Sequence, residues 1–391
     1  MPQRAAEVRV AHTGDVHLEE DRYFGDTAQC LEWFVCDAIR AGVDLFVING
    51  DLTTYKATIK ERNLWIDMLI RMADHAPVIV AAGNHGRELT GDLYVYSRAK
   101  GRHPIQLCTE PELVEVGDFA VAVFPYPRKA DVMMGTPGEA DLRAAFAEQI
   151  AEFGRQFDRR PDQYKLFFGH FGVAGARVST GQPLAGRCAE YPLQPLCELA
   201  AQYIGLSHIH LRQPLAPRVW YCGSLSRCDY SETEEKGYHL VCLSAPELRP
   251  DGSDLNVEFR SSPSRSMIEI HVRYENGEFH LPKTICTERL KDSRVKVVVT
   301  VAKGAHQKLG REAQEDLRDR LLAAGPAELK LKVERETESE DIALPVSQAH
   351  SAEAKLRAYW DIKGAPPPDQ QERLLAKLAN LEARLYDEEQ D

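Results

Sequence analysis

The chain has 391 residues, 43% apolar and 28% charged, with 60 Asp+Glu against 48 Lys+Arg and a formal net charge of −12. This composition excludes a disordered or fibrous chain, and the length suggests two or three domains, because single cores rarely grow past about 250–300 residues. The acidic balance argues against coating nucleic acid by bulk charge, and no apolar run approaches the roughly 20 residues of a membrane span.

Short β-branched runs recur at Val8–Thr13, Asp44–Asn49, Pro77–Ala82, Phe119–Phe124, Lys165–Gly169, Tyr203–Ser207 and Val219–Cys222, with helical patterns at Thr27–Ala41 and Thr58–Ala73. This alternation predicts βαβ units and a largely parallel, covered sheet, whose functional groups gather beyond the carboxyl ends of the strands. The character changes near Ser261. A hairpin over Ile268–His280 turns at Asn276-Gly277, followed by a strand Val295–Ala302, a helix around Leu309–Ala324 and a strand Glu328–Glu334. Arg335–His350 reads as a polar linker.

The tail predicts two helices split by Pro366-Pro367-Pro368, the second with a seam of Leu374, Leu378, Leu381 and Leu385 and a capping box of Asp369 and Glu372. Tyr359, Trp360 and the seam are expected to be exposed for a partner; packing against the chain's own domain is the alternative. The N-terminus, Met1 to Glu7, lacks the apolar core of a signal peptide, and nine cysteines form no CxxC pair. Reduced thiols in a cytoplasmic protein are the expectation.

Short polar motifs follow the strands: Asp15-Val16-His17, Gly50-Asp51, Gly83-Asn84-His85, Gly169-His170 and His208-Ile209-His210, with Gly223-Ser224-Leu225 later. Each alone is weak, but a parallel topology would bring the set to one rim. Two Asp, one Asn and four His without Cys suit Mn²⁺, Fe²⁺ or Zn²⁺. Seven such ligands are too many for one ion and fit two ions sharing a carboxylate, a pair that can activate water and clamp a phosphoryl displacement. The residues read as a dinuclear phosphoesterase.

The motif set resembles the calcineurin-like metallophosphoesterase superfamily. Within it, His12–Leu18, Gly169-His170-Phe171 through Gly175-Ala176, Ser207–His210, and above all Tyr221–Tyr230 leading to Glu235-Lys236-Gly237-Tyr238 resemble the SbcD-type nuclease subunits. The resemblance is close over residues 7–245. It implies a metallophosphoesterase sandwich of two mixed sheets flanked by helices (about 1–260), a small α/β DNA-capping domain (265–340) and a C-terminal helix pair (350–391).

Position by position, it implies one metal held by Asp15, His17, Asp51 and His210 and a second by Asp51, Asn84, His170 and His208. His85 would be the non-ligand histidine that stabilises or protonates the leaving oxygen. Two Mn²⁺ ions, duplex DNA ends as substrate, an SMC-like ATPase of the SbcC type docked on the C-terminal helices, and a homodimer through helices such as Asn63–Ala73 complete the expectation. No phosphate-binding loop is present, so ATP would be bound by the second subunit.

Three departures stand out. Gly86 replaces the family's acidic residue after the motif histidine, Thr54 stands where a histidine is common, and Ser207 replaces a glycine. Gly86 removes a partner expected to orient His85, and Thr54 a substrate-contacting imidazole. Arg87, Arg98, Lys100, Arg102, His103 and Arg128-Lys129 are candidate phosphate contacts or plain surface residues; Tyr94, Tyr96 and Tyr126 could stack on a base. Rival readings are a phosphodiesterase or phosphatase of small nucleotides, and a metal-binding scaffold with weak nuclease activity.

Overall fold

The computed structural model describes residues 7–127, 139–180, 190–249, 252–282, 287–301, 309–335 and 352–388. In chain order the strands are β1 (Val8–Thr13), β2 (Leu45–Asn49), β3 (Val78–Ala81), β4 (Ile105–Cys108), β5 (Glu112–Val116), β6 (Phe119–Phe124), β7 (Tyr164–His170), β8 (Gly172–Val173) and β9 (Glu190–Tyr191). They continue as β10 (Tyr203–Ser207), β11 (Gln213–Ala216), β12 (Val219–Tyr221), β13 (Gly237–Leu243), β14 (Leu255–Ser261), β15 (Met267–Glu275), β16 (Glu278–His280), β17 (Arg294–Val301) and β18 (Glu328–Arg335). The helices are α1 (Phe24–Ala41), α2 (Ile59–Ala73), α3 (Glu139–Asp158), α4 (Gln194–Glu198), α5 (Arg311–Leu322), α6 (Ala352–Lys363) and α7 (Pro368–Glu388).

Two six-stranded sheets carry the larger unit, ordered β14-β13-β1-β2-β3-β4 and β11-β12-β10-β7-β6-β5. Each is mixed. β1 to β4 run parallel, β13 pairs antiparallel with β1 and β14 antiparallel with β13, and β6-β7-β10-β12 run parallel between antiparallel β5 and β11. Successive residues of a strand face opposite layers. In β2, Leu45 and Val47 therefore join Val10, Ile79, Val121, Leu166 and Phe168 in the core between the sheets. Phe46 and Ile48 face the other way, among Phe34, Trp65 and Leu69 of α1 and α2. Phe146, Ile150, Phe153 and Phe157 of α3 cover the second sheet. The result is a helix–sheet–sheet–helix sandwich, the mixed α/β architecture expected from the resemblance.

Local chemistry explains the helix ends. Thr58 and Glu61 form a reciprocal capping box at the start of α2. Gly42, at φ 66°, closes α1 in the left-handed conformation that glycine takes without strain. The hairpin turns at Asn276 and Gly277, both at positive φ, between β15 and β16. β15 to β18 form a sheet in the order β16-β15-β17-β18.

The chain divides into two compact units, one of Met1–Ile270, Pro282–Val297 and Asp316–Leu331, the other of His271–Leu281, Val298–Glu315 and Lys332–Asp391. Within the first, Arg265 and Arg294 both donate to Asp26, while Arg294 and Lys330 flank the Tyr23 ring. Within the second, α6 packs on α7. Two expectations for the tail change. Trp360 is buried, at 6% exposure, although Tyr359 and Leu374 are exposed. The helix α7 starts at Pro368, one residue before the expected cap Asp369, whose side chain lies outside the described residues. Arg335, the first residue of the expected linker, ends β18, and the rest of that linker, 336–350, lies outside the described residues, as do the side chains of Leu381 and Leu385, and Cys188 and Cys286. The other seven cysteines are free, and among the described residues no helix is long and apolar enough to cross a membrane.

Candidate metal centre

Asp15 follows β1, Asp51 follows β2, Asn84 follows β3, His170 ends β7, and His208 and His210 follow β10. Both sheets thus deliver side chains beyond their carboxyl ends, and these meet. The ligand atoms of Asp15, His17 and His210 lie within 4.8 Å of one another, as do those of Asp51, His170 and His208. Asp51 Oδ2 stands 3.5 Å from His17 Nε2 and 3.3 Å from His170 Nε2, which places it between the two groups. Asn84 Oδ1 lies 3.2 Å from His170 Nε2 and 2.9 Å from His208 Nδ1. All seven residues expected as ligands are therefore gathered at one rim.

The backbone is distorted to do this. Asp15, His17, Asp51 and His208 have φ of 48°, 49°, 55° and 88°, half of the eight non-glycine residues at positive φ among those described. Such conformations cost on the order of 1–3 kcal/mol each and persist only where the surroundings over-determine them. The surroundings leave no slack. A Cβ on Gly50 would collide with His170 Nδ1, and one on Gly83 with Asp51 Oδ1.

Two of the imidazoles are aimed by a bond on the far side. His170 Nδ1–H donates to Asn49 O at 2.7 Å, leaving Nε2 for the site. His210 Nδ1–H donates to Glu232 at 2.6 Å, leaving its Nε2 facing His17 Nε2 at 3.1 Å. A carboxylate behind a ligating histidine fixes its tautomer and raises its basicity.

The segment most specific to the resemblance builds this support. Ser224 N–H donates to His210 O, as does the Lys236 ammonium, which is 2% exposed and also pairs with Glu232 and Glu234. Arg227 ties the loop down through the carbonyls of Glu232, Glu234 and Ser264. Ser207 fits in place of a glycine because Gly14 opposite has no side chain; a Cβ there would stand 2.9 Å from Ser207 Cβ.

The electrostatics ask for cations. Burial pushes His17 and His208 down to about 3, so both imidazoles keep their lone pairs. Burial also raises Asp15. Asp51 stays ionised despite its burial because His170 faces it, and the Asp51 carboxylate outweighs the burial of His170 and lifts it to about 9. Among the described residues neither Asp15 nor Asp51 has a Lys or Arg ion-pair partner. Two buried carboxylates, an amide oxygen and inward-facing imidazole nitrogens fit two divalent ions.

His85 sits at the exposed edge. Its N–H donates to Asp51 Oδ1 at 2.8 Å, its ring is 4.9 Å from that of His17, and its Nδ1 is 3.3 Å from Thr54 O. Thr54 therefore touches His85 through its backbone, whatever its side chain. The Tyr126 ring lies 5.5 Å from that of His208. Tyr96 is buried; Tyr94, Lys100, Arg102 and His103 line a cleft of about 510 Å³, and Arg128-Lys129 lie outside the described residues.

Two acidic residues escaped the sequence reading. Glu232 was hidden inside the loop before Glu235-Lys236-Gly237. Glu88, 3% exposed, accepts from the backbone N–H groups of Asp51, Leu52 and Gly83. Burial and the Asp51 charge push it up to about 8. An acidic residue close behind the Gly83-Asn84-His85 motif was the available signal.

A two-sheet α/β sandwich with paired carboxylate–imidazole clusters beyond its strand ends defines a dimetal hydrolase class. More narrowly, the chain belongs to the calcineurin-like phosphoesterase family, whose profile matches residues 8–211. Membership points to metal-dependent phosphoester hydrolysis and a site for two divalent ions. Solved structures similar to the chain include TT1561 of Thermus thermophilus, at 12% identity and TM-score 0.40 over 65% of this chain and 99% of that one. GAP50, the anchor in the inner membrane complex of Plasmodium, matches at 12% and 0.40 over 66% and 90%. A dimetal phosphatase from Danio rerio matches at 12% and 0.35 over 65% and 99%.

Proposed function

We propose that this chain is the nuclease subunit of an SbcCD-like complex, hydrolysing DNA phosphodiesters at duplex ends with two Mn²⁺ ions. The observation that carries the hydrolytic part is the pair of ligand clusters meeting at Asp51. What favours the nuclease branch of the family is the resemblance over Tyr221–Tyr230 and Glu235–Tyr238, where Ser224 and Lys236 hold His210 from behind and Arg227 ties the loop through the carbonyls of Glu232 and Glu234.

The first ion would take Asp15, His17, Asp51 and His210, and the second Asp51, Asn84, His170 and His208. When bound, such a pair supplies Lewis acidity and positive charge to the phosphoryl group. The chain's own residues do the rest. Asp51 holds the two halves of the site together and, through the His85 N–H, ties the third loop to the second. His85 stands beside the ligands with its Nδ1 facing Thr54 O, placed to hand a proton to the leaving oxygen. Tyr126, against His208, offers a face to a base. The helices α6 and α7 would bind the SMC-like ATPase, with Tyr359 and Leu374 exposed for that purpose.

The test is Mn²⁺-dependent degradation of end-labelled linear duplex DNA by the wild type, Asp51→Ala and His85→Ala, with and without an SbcC-type ATPase. Loss of cutting in both variants is expected. Cleavage of small phosphoesters but never of DNA, even with the ATPase, would replace the nuclease reading by a small-nucleotide phosphoesterase. Metal and DNA binding without any cleavage would make the chain a scaffold.

A further inference from the structure

We propose that Glu88 is the positioning residue of this metal centre, supplying from two residues downstream the carboxylate that Gly86 lacks; the inference rests on the phosphoesterase reading. Glu88 Oε1 accepts from Leu52 N–H at 2.6 Å, and Oε2 accepts from Gly83 N–H at 2.7 Å and Asp51 N–H at 3.2 Å. Two of these donors belong to the turn that carries the bridging aspartate. The third is the peptide N–H just before Asn84. One side chain thus stitches the second ligand loop to the third, and the Asp51 Oδ1 bond from His85 N–H closes the same junction from above.

The backbone shows how position 88 reaches this place. Gly86 and Arg87 are both left-handed, at φ 65° and 57°, so the chain turns back on itself and Glu88 starts a short 3₁₀ turn beneath the site. A Cβ on Gly86 would meet Thr53 Oγ1 at 2.6 Å and Glu88 Oε1 at 3.3 Å. The space an acidic residue at 86 would use is occupied by the Thr53 hydroxyl and the Glu88 carboxylate. An acid at 86 and Glu88 therefore compete for the same space. Among the described residues Glu88 has no cationic partner; backbone N–H groups satisfy it entirely. Three N–H groups converging on one side chain order the two loops against each other.

Gln at 88 has the same shape but one acceptor oxygen, so its amide faces at least one N–H that needs an acceptor. The full chain is compared as wild type, Glu88→Gln and Glu88→Asp, with Glu61→Gln as a folding control, since Glu61 is equally buried but caps α2. The readouts are Mn²⁺ titration calorimetry, thermal melting, and hydrolysis of bis(p-nitrophenyl) phosphate against Mn²⁺ concentration. Glu88→Gln is expected to raise the Mn²⁺ concentration for half-maximal activity by about tenfold to a hundredfold, and Glu88→Asp to recover part of that loss. Glu61→Gln lowers the melting temperature and leaves the Mn²⁺ dependence unchanged. A Glu88→Gln protein with the wild-type Mn²⁺ isotherm overturns the inference, and so does one that fails to fold in excess Mn²⁺. Failure of the underlying reading shows separately, in the wild type, as fewer than two bound Mn²⁺ or no ester cleaved.

Discussion

His210 Nδ1–H donates to Glu232 Oε1 at 2.6 Å, and the same carboxylate takes the Cys228 N–H at 2.8 Å and the Lys236 ammonium at 3.2 Å. Burial works against a charged Glu232, yet the His210 bond holds it down to about 2; the same bond raises His210 against its burial. The carboxylate therefore stays ionised and keeps His210 Nε2 directed at the site. Glu232→Gln should weaken divalent-metal binding about tenfold to a hundredfold while the protein still melts cooperatively. Calorimetric Mn²⁺ titration reads this directly, and an unchanged isotherm would show that His210 is aimed by its backbone alone.

Gly50 and Gly42 share a left-handed backbone, at φ 85° and 66°, but not their surroundings. Nothing lies within 4 Å of a Cβ on Gly42, whereas one on Gly50 strikes His170 Nδ1 and breaks its bond to Asn49 O. Gly42→Ala should cost about 1 kcal/mol of stability and leave activity intact. Gly50→Ala should reduce phosphoester hydrolysis by about a hundredfold or more, because an ångström of misplacement at a reacting centre costs that much. Equal activity in the two variants would contradict the packing around His170.

The sandwich was legible because β1, β2, β3, β7 and β10 are apolar on both faces and each ends in a polar motif, so strands and site announced one another. Edge strands were harder. β14 alternates polar and apolar residues and β5 carries two glutamates in five residues; both are partly exposed, and neither was recognised. The supporting acids were invisible for a different reason. Glu88 and Glu232 act by accepting backbone N–H groups and an imidazole from residues brought near by the fold, and no spacing in the sequence encodes that. Trp360 shows the converse error: an aromatic in an isolated-looking helix reads as exposed, but α7 packs on α6 and Trp360 is buried.

Metal should stabilise the fold as well as activate it. The Asp15 and Asp51 carboxylates have only imidazoles for partners, and cations binding there bind the native state alone. A free ion at a hundred times its dissociation constant adds about 2.7 kcal/mol per site. Mn²⁺ is therefore expected to raise the melting temperature by several degrees over protein treated with a chelator. In Asp51→Ala, which loses the carboxylate between the clusters, most of that gain should vanish. A melting temperature indifferent to Mn²⁺ in the wild type would contradict a native metal centre at these residues.

Beneath the site, a polar chain crosses from one sheet to the other and sets an acid limit on stability. Asn49 Nδ2 donates to Gly169 O at 2.9 Å and lies 3.5 Å from His12 Nε2. With Nε2 as the acceptor, His12 Nδ1–H donates to the Tyr203 oxygen at 3.0 Å, and the Tyr203 hydroxyl donates to His239 Nδ1 at 2.9 Å. His239 Nε2 then has no hydrogen-bond partner. Burial holds His12 well below its usual value and pushes His239 down to about 3. Below about pH 6.5 the unfolded chain takes up protons at these histidines and the folded chain does not, so stability is complete above that pH and falls on acidification. The slope is about 1.4 kcal/mol per pH unit for each histidine. His239→Leu should melt at a lower temperature near pH 7 because Tyr203 loses an acceptor, yet lose stability less steeply between pH 6 and 4. Chemical denaturation across that range measures both slopes, and parallel lines for wild type and variant would mean that His239 is protonated within the fold.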